Sequence, residues 1–257
     1  MTLADGPAPL VSRSVALRPL LPSDGEWCYA LVCGPAGERW RYRGRTPPPD
    51  QVAAELWRGV FAQFVVIDRC TGRRAGLVGL YNVAVDAGRA YAFALAEPAL
   101  APLVTEGFGL LCQWAFDQLK FQRILLETPE FNLGQFGSLG DAAIVEGRLR
   151  NYEIWQGRLW DYFILALTAE AFGSTFGPLL DRRCEAGDAA TDTLGEQQYA
   201  ELVAELWPLD SLGLVEVLDA LERVVDGVVD VGDITAIHAG SAEEWVDRTL
   251  AAARGRA

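Results

Sequence analysis

FVVIDRCTGRRAGLVGLYNV (Phe64–Val83) decides how this chain folds. Two apolar, β-rich runs, Phe64–Asp68 and Ala75–Val83, flank a Thr71-Gly72 turn, which is the pattern of a hairpin. A second turn at Ala87-Gly88 leads into RAYAFALA (Arg89–Ala96), so the hairpin grows into a three-strand meander. Outward from it, VALRPL (Val15–Leu20) reads as a strand before the meander and RILLET (Arg123–Thr128) as one after it. EGRLRNYEIWQGRLWDYFILAL (Glu146–Leu167) reads as two strands around Gly157. Three segments have helical character: PSDGEWCYALV with a Ser/Asp start, DQVAAELWRGVF (Asp50–Phe61) with Asp50 as cap, and TEGFGLLCQWAFDQLK (Thr105–Lys120). The last is amphipathic, with Leu110, Trp114 and Leu119 among its apolar positions. Strands and helices in this order make an α+β fold with a mixed sheet and flanking helices.

Residues 1–14 read as a flexible leader, 15–172 as the α+β unit and GSTFGPLLDRRCEAGDAATD (173–192) as a linker. Beyond it the strand signals stop. Residues 193–257 read as a small all-α domain built from EQQYAELVAELW, DSLGLVEVLDALERVV and SAEEWVDRTLAAAR. Net charge is −13, and residues 176–257 hold most of it, with 6 Arg and no Lys against 17 acidic side chains. Nucleic-acid phosphates would be repelled by such a module, which suits docking onto basic protein surfaces instead. No apolar run approaches the roughly 18 residues of a membrane span, and no secretory signal is legible. Five scattered cysteines without a C-x-x-C pair suggest neither a disulfide framework nor a metal site, so a reducing, cytoplasmic setting is expected.

From about residue 15 to 172 the chain resembles the GNAT acetyltransferases, in the branch that includes ribosomal-protein N-terminal acetyltransferases. VALRPL, the Phe64–Val83 meander, PAL…TEGFGLLCQWAFDQLKFQRILLETPEFN, VEGRLRNYEIWQGRLWDYFILAL and EAF carry the resemblance in that order. It implies a coenzyme A thioester lying between two splayed parallel strands, RAYAFALA and RILLET. The loop and helix start that follow would cradle the pyrophosphate, where exposed N–H groups and the helix dipole favour an anion. This places Thr105 and Glu106 at the cofactor, although Glu106 at a helix start also reads as a dipole residue. Asn132 falls where the family contacts the pantetheine arm. The expected R-G-x-G-x-A run is replaced by Ala99-Leu100-Ala101-Pro102-Leu103-Val104, and no glycine follows until Gly107. LGQFGSLGDAAI (Leu133–Ile144), with Phe136 and Ser138, likewise departs from the family pattern.

The single histidine, His238, lies outside this unit, so carboxylates and phenols remain for acid–base work. Glu127 on RILLET is the candidate base. Tyr162 is the candidate acid, beside Tyr81 and Tyr91, though strand tyrosines commonly serve packing. Arg39, Arg41, Arg43 and Arg45, interleaved with Trp40 and Tyr42, would grip an anion or simply line a solvated loop.

PLDSLGLVEVLDALERVV (Pro208–Val225) resembles the second helix of acyl carrier proteins, and DITAIHAGSAEEWVDRTLAAA their closing segments. The resemblance implies 4′-phosphopantetheine on Ser211, added by a phosphopantetheinyl transferase. It also implies an acidic face of Glu216, Asp219 and Glu222 for biosynthetic partner enzymes. The two resemblances together imply an acyltransferase of specialised metabolism, moving an acyl group between a thioester and an acceptor. Two other readings stand beside it: a degenerate docking scaffold, and an acetyl-CoA-dependent N-acetyltransferase with an acidic helical tail.

Overall fold

A computed structural model describes residues 10–34, 37, 45–134, 142–184, 194–227 and 229–255, with the Ser211 side chain excepted. Arg39, Arg41, Arg43, Trp40, Tyr42, Phe136, Ser138 and residues 185–192 of the expected linker lie outside the described residues.

Seven strands form one sheet in the order β1-β2-β3-β4-β5-β7-β6. They are β1 (Val15–Pro19), β2 (Val60–Asp68), β3 (Arg74–Ala84), β4 (Arg89–Ala96), β5 (Arg123–Pro129), β6 (Ala143–Trp155) and β7 (Arg158–Thr168). Every neighbouring pair is antiparallel except β4–β5, which is parallel. The meander follows the reading of Phe64–Val83, with Gly72 in the left-handed conformation that its turn demands (φ 72°). Helix α2 spans Pro49–Glu55, whereas the sequence suggested one continuing to Phe61. Gly59 turns the chain at φ 70°, and Val60 then pairs with Tyr81, so β2 takes what periodicity assigned to the helix.

Helix α1 (Gly25–Cys33) and α2 cover one face of the sheet. Cys28, Leu31, Val32 and Val52 pack there with Val65, Leu77 and Leu95. Helix α3 (Ala101–Asp117) covers the other face, starting one turn earlier than Thr105. Two glycines let it sit tightly between layers. A Cβ on Gly107 would fall 2.9 Å from Val66 of β2, and one on Gly109 would fall 2.3 Å from the Phe176 ring. Pro98–Asp117 is long and apolar enough to cross a membrane, a length that the sequence reading missed; here it is mostly buried between the sheet and a further layer of helices.

That further layer overturns two expectations. The stretch expected as linker is helical through Cys184, as α4 (Ala169–Thr175) and α5 (Gly177–Cys184). The end of the expected leader is held as well: Ser12 and Ser14 are buried, and the Arg13 N–H donates to the Arg183 carbonyl at 2.7 Å. Helices α6 (Glu196–Leu206), α7 (Ser211–Val225), α8 (Val231–Thr235) and α9 (Ala242–Arg254) complete the layer. Their buried apolar residues, Tyr199, Val215, Leu218, Leu221, Ile234 and Trp245, belong to the same continuous core as α3 and the sheet.

Arg183 is the polar centre of this contact. It is 2% exposed, and around it lie Glu106 of α3 (2%) with Asp219 (3%) and Glu222 (2%) of α7. Nε lies 2.9 Å from Glu106 Oε1, and Nη1 lies 3.2 Å from Glu222 and 3.5 Å from Asp219. Its Nη2 donates to Ser14 Oγ. Burial alone would lower the Arg183 pKa, but Glu106, Glu222 and Asp219 raise it, so the cation is retained. Burial also pushes Glu222 up, against the pull of Arg183.

Candidate functional site

Strands β4 and β5 pair only along Arg89–Ala92 and Arg123–Leu126. Past that point each follows its outer neighbour. Phe93 to Ala96 stay with β3 down to Gly76, while Glu127 to Pro129 stay with β7 up to Tyr162. The two strands therefore part, and the ladder between them ends at Ala92 and Leu126. Beyond that point no ladder joins the two strands.

Alternation sorts the side chains around this opening. Ala90, Ala92, Ile124 and Leu126 face α3 and join its core. Tyr91, Phe93 and Glu127 point to the opposite face. Tyr81 of β3 joins them there, its ring centroid 5.5 Å from Tyr91 and 6.2 Å from Phe93. The Tyr81 hydroxyl donates to Glu127 Oε2 at 3.1 Å. Burial raises the Tyr81 pKa, and the negative charge and hydrogen bond of Glu127 raise it further, with Tyr162 adding to the effect. Tyr81 is thus held as a phenol, a hydrogen-bond donor that orients Glu127 rather than a proton source. Glu127 itself is exposed at the mouth. Tyr162, half-buried on β7, packs against Tyr152 at 5.3 Å.

Asn132 lies in the turn of residues 130–134 directly after β5, half-buried, beside Phe131, which stacks on Trp155 at 4.3 Å. The structure therefore brings Glu127, Tyr162 and Asn132 to the same end of the β5–β7 pair.

The other predicted cofactor residues go elsewhere. Glu106 does not reach the cleft, because its carboxylate accepts from Ser12 and faces Arg183 in the buried contact. Thr105 sits inside α3, one turn past its start, and so is not at the exposed helix end. The connection that would cradle a pyrophosphate, Pro98–Leu100, is a tight 3-10 turn. Its Leu100 N–H donates to Glu97 O and the Ala101 N–H to Pro98 O, while Pro102 has no N–H to offer. Thr235 of α8 donates its hydroxyl to Ala99 O at 2.6 Å, placing α8 on this turn. No Lys or Arg occurs between Arg89 and Lys120, and Arg73 is engaged with Glu97 at 3.6 Å. The strands part where the resemblance would put a thioester, but the Pro98–Leu100 turn, with two amides spent and a proline after it, does not fit the nucleotide pyrophosphate of coenzyme A.

Ser211 opens α7 as its first residue. The first amides of the helix, which a phosphodiester on Ser211 would meet, are occupied: Asp210 caps the helix, its Oδ1 accepting from Leu212 N–H at 3.1 Å and Gly213 N–H at 2.9 Å. The expected acidic face is also turned inward, since Asp219 and Glu222 surround Arg183, with Arg182 and Arg13 beside them. Docking of partner enzymes on those two carboxylates is therefore corrected. Neither residue was distinguishable from a solvated acid until Arg183 supplied its counter-charge.

No protein-family model and no curated protein matches this chain. Solved structures do. A GCN5-related N-acetyltransferase from Brucella melitensis is 23% identical, with a TM-score of 0.54 over 67% of this chain and 85% of its own. A protein described as a probable acetyltransferase of the GNAT family from Chromobacterium violaceum is 22% identical, with a TM-score of 0.53 over 65% of this chain and 96% of its own. A spermidine N-acetyltransferase from Vibrio cholerae, solved with CoA and spermine, is 17% identical, with a TM-score of 0.52 over 62% and 98%. At this identity the likeness is one of architecture, and it agrees with the splayed β4–β5 pair: the chain has the fold of the GNAT N-acetyltransferases.

Proposed function

We propose that this chain is an acyltransferase that moves an acyl group from a thioester in the β4–β5 cleft to an amine on the face bearing Glu127. The observation that carries the reading is Glu127 itself, exposed at the point where the strands part and oriented by the Tyr81 hydroxyl. The ring faces of Tyr81, Tyr91 and Phe93 beside a carboxylate suit a cationic acceptor such as an alkylammonium. Glu127 takes a proton from the ammonium. The freed amine attacks the thioester carbonyl, whose oxygen is met by unladdered N–H groups of β4. The new C–N bond forms as the C–S bond breaks; the thiolate takes its proton from the Tyr162 phenol, the second proton on the nitrogen restores that phenol, and Glu127 returns the first to solvent. Asn132, beside the cleft, holds the pantetheine arm.

Release of free thiol from an acyl-pantetheine thioester, with spermine or an N-terminal peptide amine as acceptor, tests this reading. Glu127→Gln is expected to lower kcat by about 10²–10³-fold with KM for the thioester unchanged, the usual scale for a lost general base. An unchanged kcat would remove Glu127 from the reaction.

A second reading adds 4′-phosphopantetheine on Ser211, installed by a phosphopantetheinyl transferase and serving a step of specialised metabolism. Ser211 is the first residue of α7, the position that the acyl-carrier resemblance gives the modified serine. Incubating the whole chain with such a transferase and coenzyme A is expected to add one phosphopantetheinyl mass, absent from Ser211→Ala. An unmodified wild-type chain refutes this reading and leaves the first intact.

A further inference from the structure

The β4–α3 turn and α8 bear on which thioester the cleft accepts. Three independent features remove the means of holding a nucleotide pyrophosphate there. The Leu100 and Ala101 amides are committed to the turn itself, and Pro102 has none. Thr235 ties α8 to Ala99, so the outer side of the turn is packed against protein. The nearby arginine, Arg73, is paired with Glu97 at the start of the turn, and Asp230 and Asp233 lie in the segment that meets it. Phosphate recognition at a helix start needs free N–H groups, close backbone approach and a favourable field; here two of the turn's amides are spent on the turn, Pro102 offers none, and α8 lies against it. The parted strands that would receive the pantetheine arm are unaffected by any of this.

We infer that the cleft is selective for pantetheine thioesters lacking the adenosine nucleotide, acyl groups on a short pantetheine or on the arm of a carrier protein, and that it discriminates against acyl-CoA. Thr235, Ala99 and Pro102 are then specificity-determining residues that close the nucleotide end of the cleft. This rests on the thioester-dependent transfer proposed above.

The test uses the full chain and compares S-acetyl-pantetheine, acetyl-CoA and an acetylated holo-carrier protein as donors, with CoA and pantetheine titrated as dead-end ligands. CoA is expected to bind no more tightly than pantetheine. In a working cradle, even one charge-assisted hydrogen bond to phosphate would favour CoA about tenfold or more. Rising salt is expected to bring the two dissociation constants together, because screening relieves a repulsion. Glu97→Gln is expected to strengthen CoA binding several-fold and to leave pantetheine binding unchanged. A kcat/KM for the carrier-bound donor at least tenfold above that of the free thioester assigns the carrier source, and parity assigns the free one. A tenfold preference for acetyl-CoA, with CoA binding weakened by salt, overturns the selectivity and leaves the acyltransferase reading standing. If all three donors fail both to bind and to react, the acyltransferase reading falls too.

Discussion

Tyr81 and Glu127 share one hydrogen bond, in which Tyr81 is the donor and Glu127, the base of the proposed transfer, is the acceptor. A phenol whose proton is held by burial and by a neighbouring carboxylate donates steadily and does not exchange protons in turnover. Tyr81→Phe keeps the ring contacts with Tyr91 and Phe93 and removes only the hydroxyl. It is expected to lower kcat about tenfold, the rate equivalent of about 1.4 kcal/mol, measured beside the larger loss in Glu127→Gln. Asp24 gives a second residue-level prediction, for stability. Arg18 binds its carboxylate through two nitrogens at 2.7 and 2.8 Å, chiefly accounting for a pKa held at about 2. Because the folded value is depressed, this stabilisation is complete above about pH 4, the ordinary carboxylate range, and is lost as pH falls toward 2. Asp24→Asn is expected to cost about 1–2 kcal/mol at neutral pH and to flatten the fall in stability from pH 4 to 2, read by denaturant titration at each pH. Glu127 was legible in the sequence because it is a lone carboxylate in the apolar run RILLET. Glu106 was misassigned because a carboxylate near a helix start looks the same whether it faces solvent, a ligand or a buried arginine.

At the scale of elements, α3, α5 and α7 meet through one guanidinium. Arg183→Met would leave Glu106, Asp219 and Glu222 buried without their shared cation. Breaking a buried ion pair in this way typically costs about 3–5 kcal/mol, and thermal unfolding is expected to show a drop of roughly 10 °C. The triple change of Glu106, Asp219 and Glu222 to apolar residues in the Arg183→Met background is expected to recover much of that loss, as removing a whole buried network does. If Arg183→Met melts with the wild type, the network is not holding the helices together. The strands were legible because period-two alternation and the turns at Gly72, Gly88 and Gly157 are local signals. The role of α5 was not. Gly177, Pro178, Asp181 and paired arginines read as linker chemistry, and only acids on α7, nearly 40 residues away, give Arg183 its meaning. Asp219 and Glu222 at i and i+3 form a solvent-like stripe until that partner is placed.

For the whole molecule, the sheet, α3 and the C-terminal helices share a single apolar interior, so the two resemblances seen in the sequence do not correspond to two separately cored bodies. A chain ending at Cys184 would expose the α3 surface that packs against α7 and leave Arg183 and Glu106 without Asp219 and Glu222. Expressed alone, residues 1–184 are expected in the insoluble fraction, and co-expression of residues 194–257 is expected to restore soluble protein. Equal solubility of the truncated and full chains would refute this. Secondary structure was readable along most of the chain; its assembly was not, since docking depends on long-range charge pairing that periodicity does not record.

The covered face of α3 also sets an order of events during synthesis. Asp117 ends that helix about 90 residues before Ser211 begins the one that lies on it. At roughly 5–20 residues per second, its apolar outer side waits some 5–20 s at the ribosome for the segment that will shield it. During that interval the outer side of α3 stays uncovered, until the helices from Glu196 onward emerge and pack on it.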